Sequence, residues 1–249
     1  MRTLSSILVV MLFLIANISS ADPGYVKICQ PVGTENCRYA NAFGLDDGGV
    51  GLDLSSFNLT EIPTDAFSGF AHLKSLRLDR NQISHISADA FKGLDSLEVL
   101  ILDKNHISQI SPDAFRGLKK LQYLNLDGNE IEQLTEGVFR GLDSLQNLLL
   151  GSNEILMVPK VFMDLGSLKH LDLTNNSIHQ FSLKAFQGLS SLEELDLYTN
   201  QIKQLPANIF LDLSSLKSLW IFQNPINQVS KSETGLANTA GVYGAELIP

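Results

Sequence analysis

The 249-residue chain has only two cysteines, one tryptophan, and 18 Lys and Arg residues against 27 Asp and Glu. Two cysteines, Cys29 and Cys37, are too few for a small scaffold stapled by several bridges, and a pair without a histidine cluster makes a poor zinc site. The formal net charge of -9 argues against nucleic acid or an anionic membrane surface as the main partner, because binding polyphosphate depends on clustered Lys and Arg. Catalytic signatures are missing too. There is no GxSxG, HExxH, Walker loop or GxGxxG. The five histidines, His72, His85, His106, His170 and His179, fall at different positions of the repeat described below and converge with no serine or cysteine nucleophile. No catalytic, cofactor or metal residue is therefore assigned, and the chain reads as a non-enzyme. What the chain does have is apolar residues, 44% of the total, enough to bury a core and to set it apart from a disordered tail.

The only long apolar run stands at the start. Arg2 precedes the segment Ile7 to Ala16, and the small residues Ser19, Ser20 and Ala21 follow. A basic start, an apolar run short of the ~20 residues a membrane-spanning helix needs, and a small-residue site make the order of a secretory signal peptide. Residues 1–21 are read as that peptide, cut after Ala21. No later segment is apolar enough to span a membrane, and the expected product is secreted and extracellular. In an oxidising compartment the even pair Cys29 and Cys37 reads as one structural disulfide in a loop.

Self-similarity governs the rest. Asparagines stand at 81, 105, 129, 153, 176, 200 and 224, and phenylalanines at 67, 91, 115, 139, 162, 186 and 210. Both series advance by 24 residues except for one step of 23, and the short step falls at the same place in each, between Asn153 and Phe162. Two series that lose a residue together belong to one repeating unit. Units start at Gly49, Leu73, Leu97, Leu121, Leu145, Leu168, Leu192 and Leu216, so eight of them cover 49–239. Each reads LxxLxLxxNxI, then an apolar position, then a small residue with Phe, then GlyLeu, most regularly from Leu97 to Leu118.

This pattern resembles the leucine-rich repeat family in its 24-residue extracellular form. The resemblance implies an α/β solenoid, a curved horseshoe with a parallel concave β-sheet and a mostly irregular convex side. Physics points the same way. Leucines at alternate positions of LxxLxLxx face one side, as in a strand, and one unit cannot bury them unless others stack on it. Asparagines in register predict an amide ladder for the turns, and phenylalanines in register predict an aromatic spine for the outer wall. The end units are irregular, with Gly49 for the first leucine, Phe57 for the asparagine and Thr234 for the last phenylalanine. Residues 22–48 are expected to form an N-terminal cap with the Cys29–Cys37 bridge, simpler than the four-cysteine cap of many extracellular members. No cysteine cap follows the last unit. Residues from Asn224 to Pro249 cover that end, or a partner does, and 240–249 reads as a plain tail.

Three exposed strand positions per unit remain for function. At about 4.8 Å between strands, seven steps span roughly 34 Å, enough to receive a protein. Val99, Ile101, Tyr123 and Leu149 form an apolar group at mid-face. Tyr198, Trp220 and Phe222 form a second at the C-terminal end, where a tail folded over them is the competing reading. Together with Arg77 in the central column, these are the candidate partner-binding residues. Asp79, Asp103 and Asp127 make an acidic column, read as a solvated edge rather than a calcium site, since hard cations need six or more oxygens. Asn58 and Asn175 open AsnXaaSer/Thr sequences and are candidate glycan acceptors. The expected function is a secreted protein-binding module acting through its concave face on an extracellular protein. The family resemblance adds two alternatives: a non-catalytic carrier subunit of a secreted enzyme complex, or innate-immune recognition of a microbial ligand.

Overall fold

The structure is a computed structural model that describes residues 25–29, 37–44, 50–236 and 240–248. Residues 1–21, where the leader is expected, lie outside the described residues. So does most of the expected cap.

Among the described residues the chain builds one long sheet and three short outer pairs. In chain order the strands are β1 (Tyr25–Cys29), β2 (Cys37–Gly44), β3 (Val50–Asp53), β4 (Leu73–Arg77), β5 (His85–Ile86), β6 (Val99–Ile101), β7 (Gln109–Ile110), β8 (Tyr123–Asn125) and β9 (Asn147–Leu149). They continue with β10 (Met157–Val158), β11 (His170–Asp172), β12 (Gln180–Phe181), β13 (Glu194–Asp196), β14 (Ser218–Trp220), β15 (Gln228–Ser230), β16 (Gly241–Tyr243) and β17 (Glu246–Ile248). The long sheet runs β1-β2-β3-β4-β6-β8-β9-β11-β13-β14-β16, and the outer pairs are β5-β7, β10-β12 and β15-β17. Among the described residues there is one helix, the four-residue α1 (Lys231–Thr234). The predicted architecture of stacked coils, a parallel concave sheet and a largely irregular outer side is what the chain adopts.

Register explains the stacking. Ser75 pairs with Val99, Val99 with Tyr123, Tyr123 with Asn147, Asn147 with His170, His170 with Glu194 and Glu194 with Ser218. Equivalent residues of successive units therefore lie side by side, and the single short step, from Asn147 to His170, is absorbed without a register shift. β6, β8, β9, β11, β13 and β14 each bury a middle leucine and turn its two neighbours outward, as at Val99–Leu100–Ile101. Leu76, Leu100, Leu124, Leu148, Leu171, Leu195 and Leu219 have no measurable exposure.

The asparagines close each turn onto the previous one. Asn105 Nδ2 donates to the carbonyls of Leu102, in its own unit, and Leu78, one unit earlier, while its Oδ1 accepts from the Ile83 amide. The same three bonds recur at Asn129, Asn153, Asn176, Asn200 and Asn224. Asn81, facing the irregular first unit, accepts from both Phe57 and Leu59 amides. These are backbone groups that a turn would otherwise leave buried and unpaired. On the outer wall, Phe67 to Phe210 stack in sequence, with centroids 5.8 to 6.5 Å apart.

Both ends carry departures from the plain repeat. At the start, β1 pairs antiparallel with β2, and β2 antiparallel with β3. Cys29 and Cys37 stand directly opposite each other at the ends of this hairpin's two strands, rather than within a loop. At the other end, Thr234, where the phenylalanine is missing, lies buried in α1, whose N-cap Ser230 accepts from the Glu233 amide. Residues 240–248 form a further, shortened coil. Gly241, Val242 and Tyr243 pair with Ser218, Leu219 and Trp220, and Gln228 pairs with Glu246 on the outer side. The strand-to-outer-pair interval falls from ten residues, 218 to 228, to five, 241 to 246.

Candidate functional site

Three columns of outward side chains cross the long sheet. The central one reads Asp53, Arg77, Ile101, Asn125, Leu149, Asp172, Asp196, Trp220 and Tyr243, each opposite the next. Some of these side chains serve their own strand. Asp53, Asn125 and Asp172 accept from the amides two residues on, those of Ser55, Asp127 and Thr174. Arg77 forks onto Asp79, with Nε 3.2 Å from one carboxylate oxygen, and this pairing raises its already high pKa. Its guanidinium is committed within the face.

The mid-face apolar group is looser than a single cluster. Val99 and Tyr123 are cross-strand neighbours, and Ile101 lies two residues along from Val99. Leu149 is separated from Ile101 by Asn125. All four side chains are half-buried. Burial, with Asp127 and Asp103 adding, raises the Tyr123 phenol.

The C-terminal group is continuous and larger than the sequence indicates. Tyr198 stacks on Phe222 at 4.7 Å, Phe222 meets Trp220 edge-on at 6.3 Å, and Trp220 stacks on Tyr243 at 4.1 Å. The tail covers these rings only in part, with Tyr243 stacked on one face of Trp220 and Gly244 against Phe222. It pairs beside β14 and adds Tyr243, 44% exposed, to the set. Tyr243 is missed by reading columns over eight units, and the only signal for it is a GlyValTyr triplet that departs from the leucine pattern.

The acidic column is not a solvated edge. Asp79 is 2% exposed beneath Arg77, because the sheet face and the adjoining turn wall it in. Asp127 is half-buried and accepts from the Gly151 amide at 2.7 Å. Desolvation first and Asp172 second raise its pKa to about 6. Asp103 is raised as well, by burial and by Asp79. Gly151 is what lets these groups converge: a Cβ there would stand 2.9 Å from Thr174 Oγ1 and 3.2 Å from Asp127 Oδ1. Carboxylates thus line the face at Asp53, Asp79, Asp103, Asp127, Asp172, Glu194 and Asp196, against Arg77 as the one Lys or Arg of the three columns. His170 Nε2 lies 2.8 Å from Asp196 Oδ2, and that bond raises the imidazole pKa. Among the described residues no group of three or more His, Cys, Asp or Glu has the arrangement to hold a metal ion. No described helix is long and apolar enough to cross a membrane.

Sequence reasoning also missed apolar side chains on the outer side. Leu156, Met157, Met163, Leu183 and Leu211 are exposed, Leu183 to 76%. They occupy positions where earlier units carry Ser84, His85, Lys92, Ala88 and Arg116, a contrast visible once the units are aligned. Asn58 and Asn175 are both exposed at left-handed turn positions, φ 58° and 51°. An open groove of about 620 Å³ on the outer side is lined by Ser108, Glu130, Glu132, Thr135 and Glu154 among others, with no cysteine or histidine to act as nucleophile or base.

Comparison with known proteins adds the family. A model described as leucine rich repeat matches residues 51–107, 95–155 and 157–202. A comparison with curated proteins gives no match. Among solved structures, the leucine-rich repeat protein LIC12759 of Leptospira interrogans is 29% identical, with a TM-score of 0.62 over 74% of this chain and 46% of its own. A chain in the crystal structure of the TLR13-ssRNA13 complex is 26% identical, with a TM-score of 0.56 over 72% of this chain and 29% of its own. The chain thus spans less than half the length of either. With its leucines buried in register, its asparagine ladder and a family model matched over more than half its length, the chain belongs to the leucine-rich repeat family.

Proposed function

We propose that the protein is a secreted binding module that receives an extracellular protein on the concave face of its long sheet, without catalysing a reaction. The fold supports a protein-interaction role. The observation that carries the finer reading is the row of half-buried apolar and aromatic side chains on a sheet face whose other positions are polar. None of them is needed to hold the leucine core, the amide ladder or the phenylalanine spine. Exposed rings and aliphatic groups of this kind anchor protein interfaces. The leader-like start, the Cys29–Cys37 pairing in one hairpin and the exposed sequon asparagines support an extracellular setting, with a disulfide at 29–37 and glycans at Asn58 and Asn175.

The test replaces Ile101 and Leu149 together by arginine. Both side chains point off the sheet, so the double variant keeps the circular dichroism and melting profile of the parent. Captured from its native fluid and identified by mass spectrometry, a specific partner is retained by the parent and lost by the variant. An identical catch from both proteins overturns the mid-face assignment. Immune recognition stands as the second reading on one observation, the structural likeness to a chain of the TLR13 complex. It predicts capture of a microbial ligand instead. A carrier-subunit role has no observation of its own in its favour, since the coil at 240–248 covers the unit before it.

A further inference from the structure

We propose that the C-terminal part of the concave face is a seat for an arginine side chain on a basic segment of the protein partner, with the guanidinium laid between the Trp220 ring and the carboxylates of Asp196 and Glu194. The inference rests on the reading of this face as partner-binding and names the chemistry of what it receives.

The geometry is specific. Trp220 has one ring face covered by Tyr243, at 4.1 Å and 15° between planes, and Phe222 stands perpendicular to it at 6.3 Å. Tyr243 on β16 and Asp196 on β13 flank Trp220 from opposite sides, so the ring face away from Tyr243 looks along the column toward Asp196. Asp196 uses Oδ2 toward His170, while its Oδ1 accepts no hydrogen bond among the described residues. Glu194, exposed, lies two residues away on the same strand and face. The slot therefore has an aromatic wall, a carboxylate oxygen without a hydrogen bond among the described residues and a second carboxylate at its rim.

Arginine matches all three. Its planar cation stacks on an indole face and forks onto carboxylates, which an ammonium group does less well. Charge complementarity supplies the occupant. Carboxylates recur along two of the columns and the third holds Glu194, the single Arg of the face is tied to Asp79 on a distant strand, and Lys217 at the nearby rim is tied to Glu193. A face of this sign repels phosphate and draws a basic segment.

The chain has one tryptophan, so its fluorescence reports on this slot alone. The intact protein is titrated with a blocked peptide of four Arg-Gly repeats, and with the same peptide in which citrulline replaces arginine. A saturable change in Trp220 emission with the arginine peptide, at least tenfold weaker with citrulline, is the expected result. Glu194→Gln, a surface change, and Asp196→Asn with Glu194→Gln each weaken the arginine response, the pair by tenfold or more. An unchanged emission at millimolar peptide, or equal affinity in the double variant, overturns the proposal. So does a response to soluble oligosaccharides with none to arginine. Ile101 and Leu149 lie several strands away, so the two readings separate. A protein that loses its partner on Ile101→Arg with Leu149→Arg but shows no Trp220 response keeps the concave-face reading and loses this one.

Discussion

Asp127 shows how a fold can carry an unfavourable charge for the sake of a surface. Its carboxyl is pushed to about 6 from an ordinary value of 3.8, chiefly by burial and then by Asp172. A carboxyl with a native pKa above its unfolded one binds protons more readily when folded, so it weakens the native state above about pH 6, and that penalty fades as pH falls toward 3.8. Asp127→Asn removes the charge and keeps an oxygen to accept from Gly151. Calorimetry at pH 8 is expected to show a melting temperature raised by about 2 °C or more, the scale of one kcal/mol for a chain of this size. At pH 4 the gain disappears. His170 behaves in the opposite sense. Its hydrogen bond to Asp196 raises the imidazole, so the stability it contributes is complete below about 6.5 and is lost as pH rises through the native value. NMR titration should place its midpoint above 6.5, and Asp196→Asn should bring it down. Neither property is legible in the sequence, where Asp127 belongs to a column of three evenly spaced acids. Only the sheet brings Asp172 across to it and leaves room at Gly151.

The repeating elements were almost wholly legible, because their spacing is their function. Asparagine at a fixed place in each unit is demanded by carbonyls and amides that recur with the unit, and the structure shows the same three bonds at each interior step. Asn105→Ala leaves the Ile83 amide without a partner in a buried turn and takes one of two donors from each of the Leu78 and Leu102 carbonyls, which keep Asn81 and Asn129. At about 1 to 3 kcal/mol for the orphaned amide, with the two weakened carbonyls adding to it, the loss is about 2 kcal/mol or more. Asn224→Ala, in a turn that is only part-buried, loses less. Urea unfolding of the two variants compares them directly, and equal losses would show that burial does not set the value of the ladder. The outer pairs were not legible. Two-residue strands such as β5 and β7 leave no periodicity to read, and their pairing follows from how closely the outer coils approach.

A solenoid is held by contacts between neighbouring coils, so its ends decide whether the stack stays closed. The C-terminal closure turns on Gly244. It sits at φ +99°, where side chains are strained, and a Cβ there would meet Phe222 atoms within 2.2 Å. Gly244→Ala should lift β16 from β14 and uncover Leu219 and Ile221, while leaving the distant units folded. Limited proteolysis is expected to cut the variant near its C-terminus first, and the Trp220 emission should move to longer wavelength as Tyr243 leaves it. A uniform loss of stability along the whole chain would contradict this local picture. The sequence by itself determined the register of the interior units, the leucine core, the amide ladder and the aromatic spine, because each depends on a residue type recurring at a fixed interval. Tertiary structure alone decided which acids are buried, that Tyr243 completes the row of rings, and that residues 240–248 form another coil. Those outcomes depend on which side chains meet across strands and on how the last coil is cut short, and no interval in the sequence encodes either.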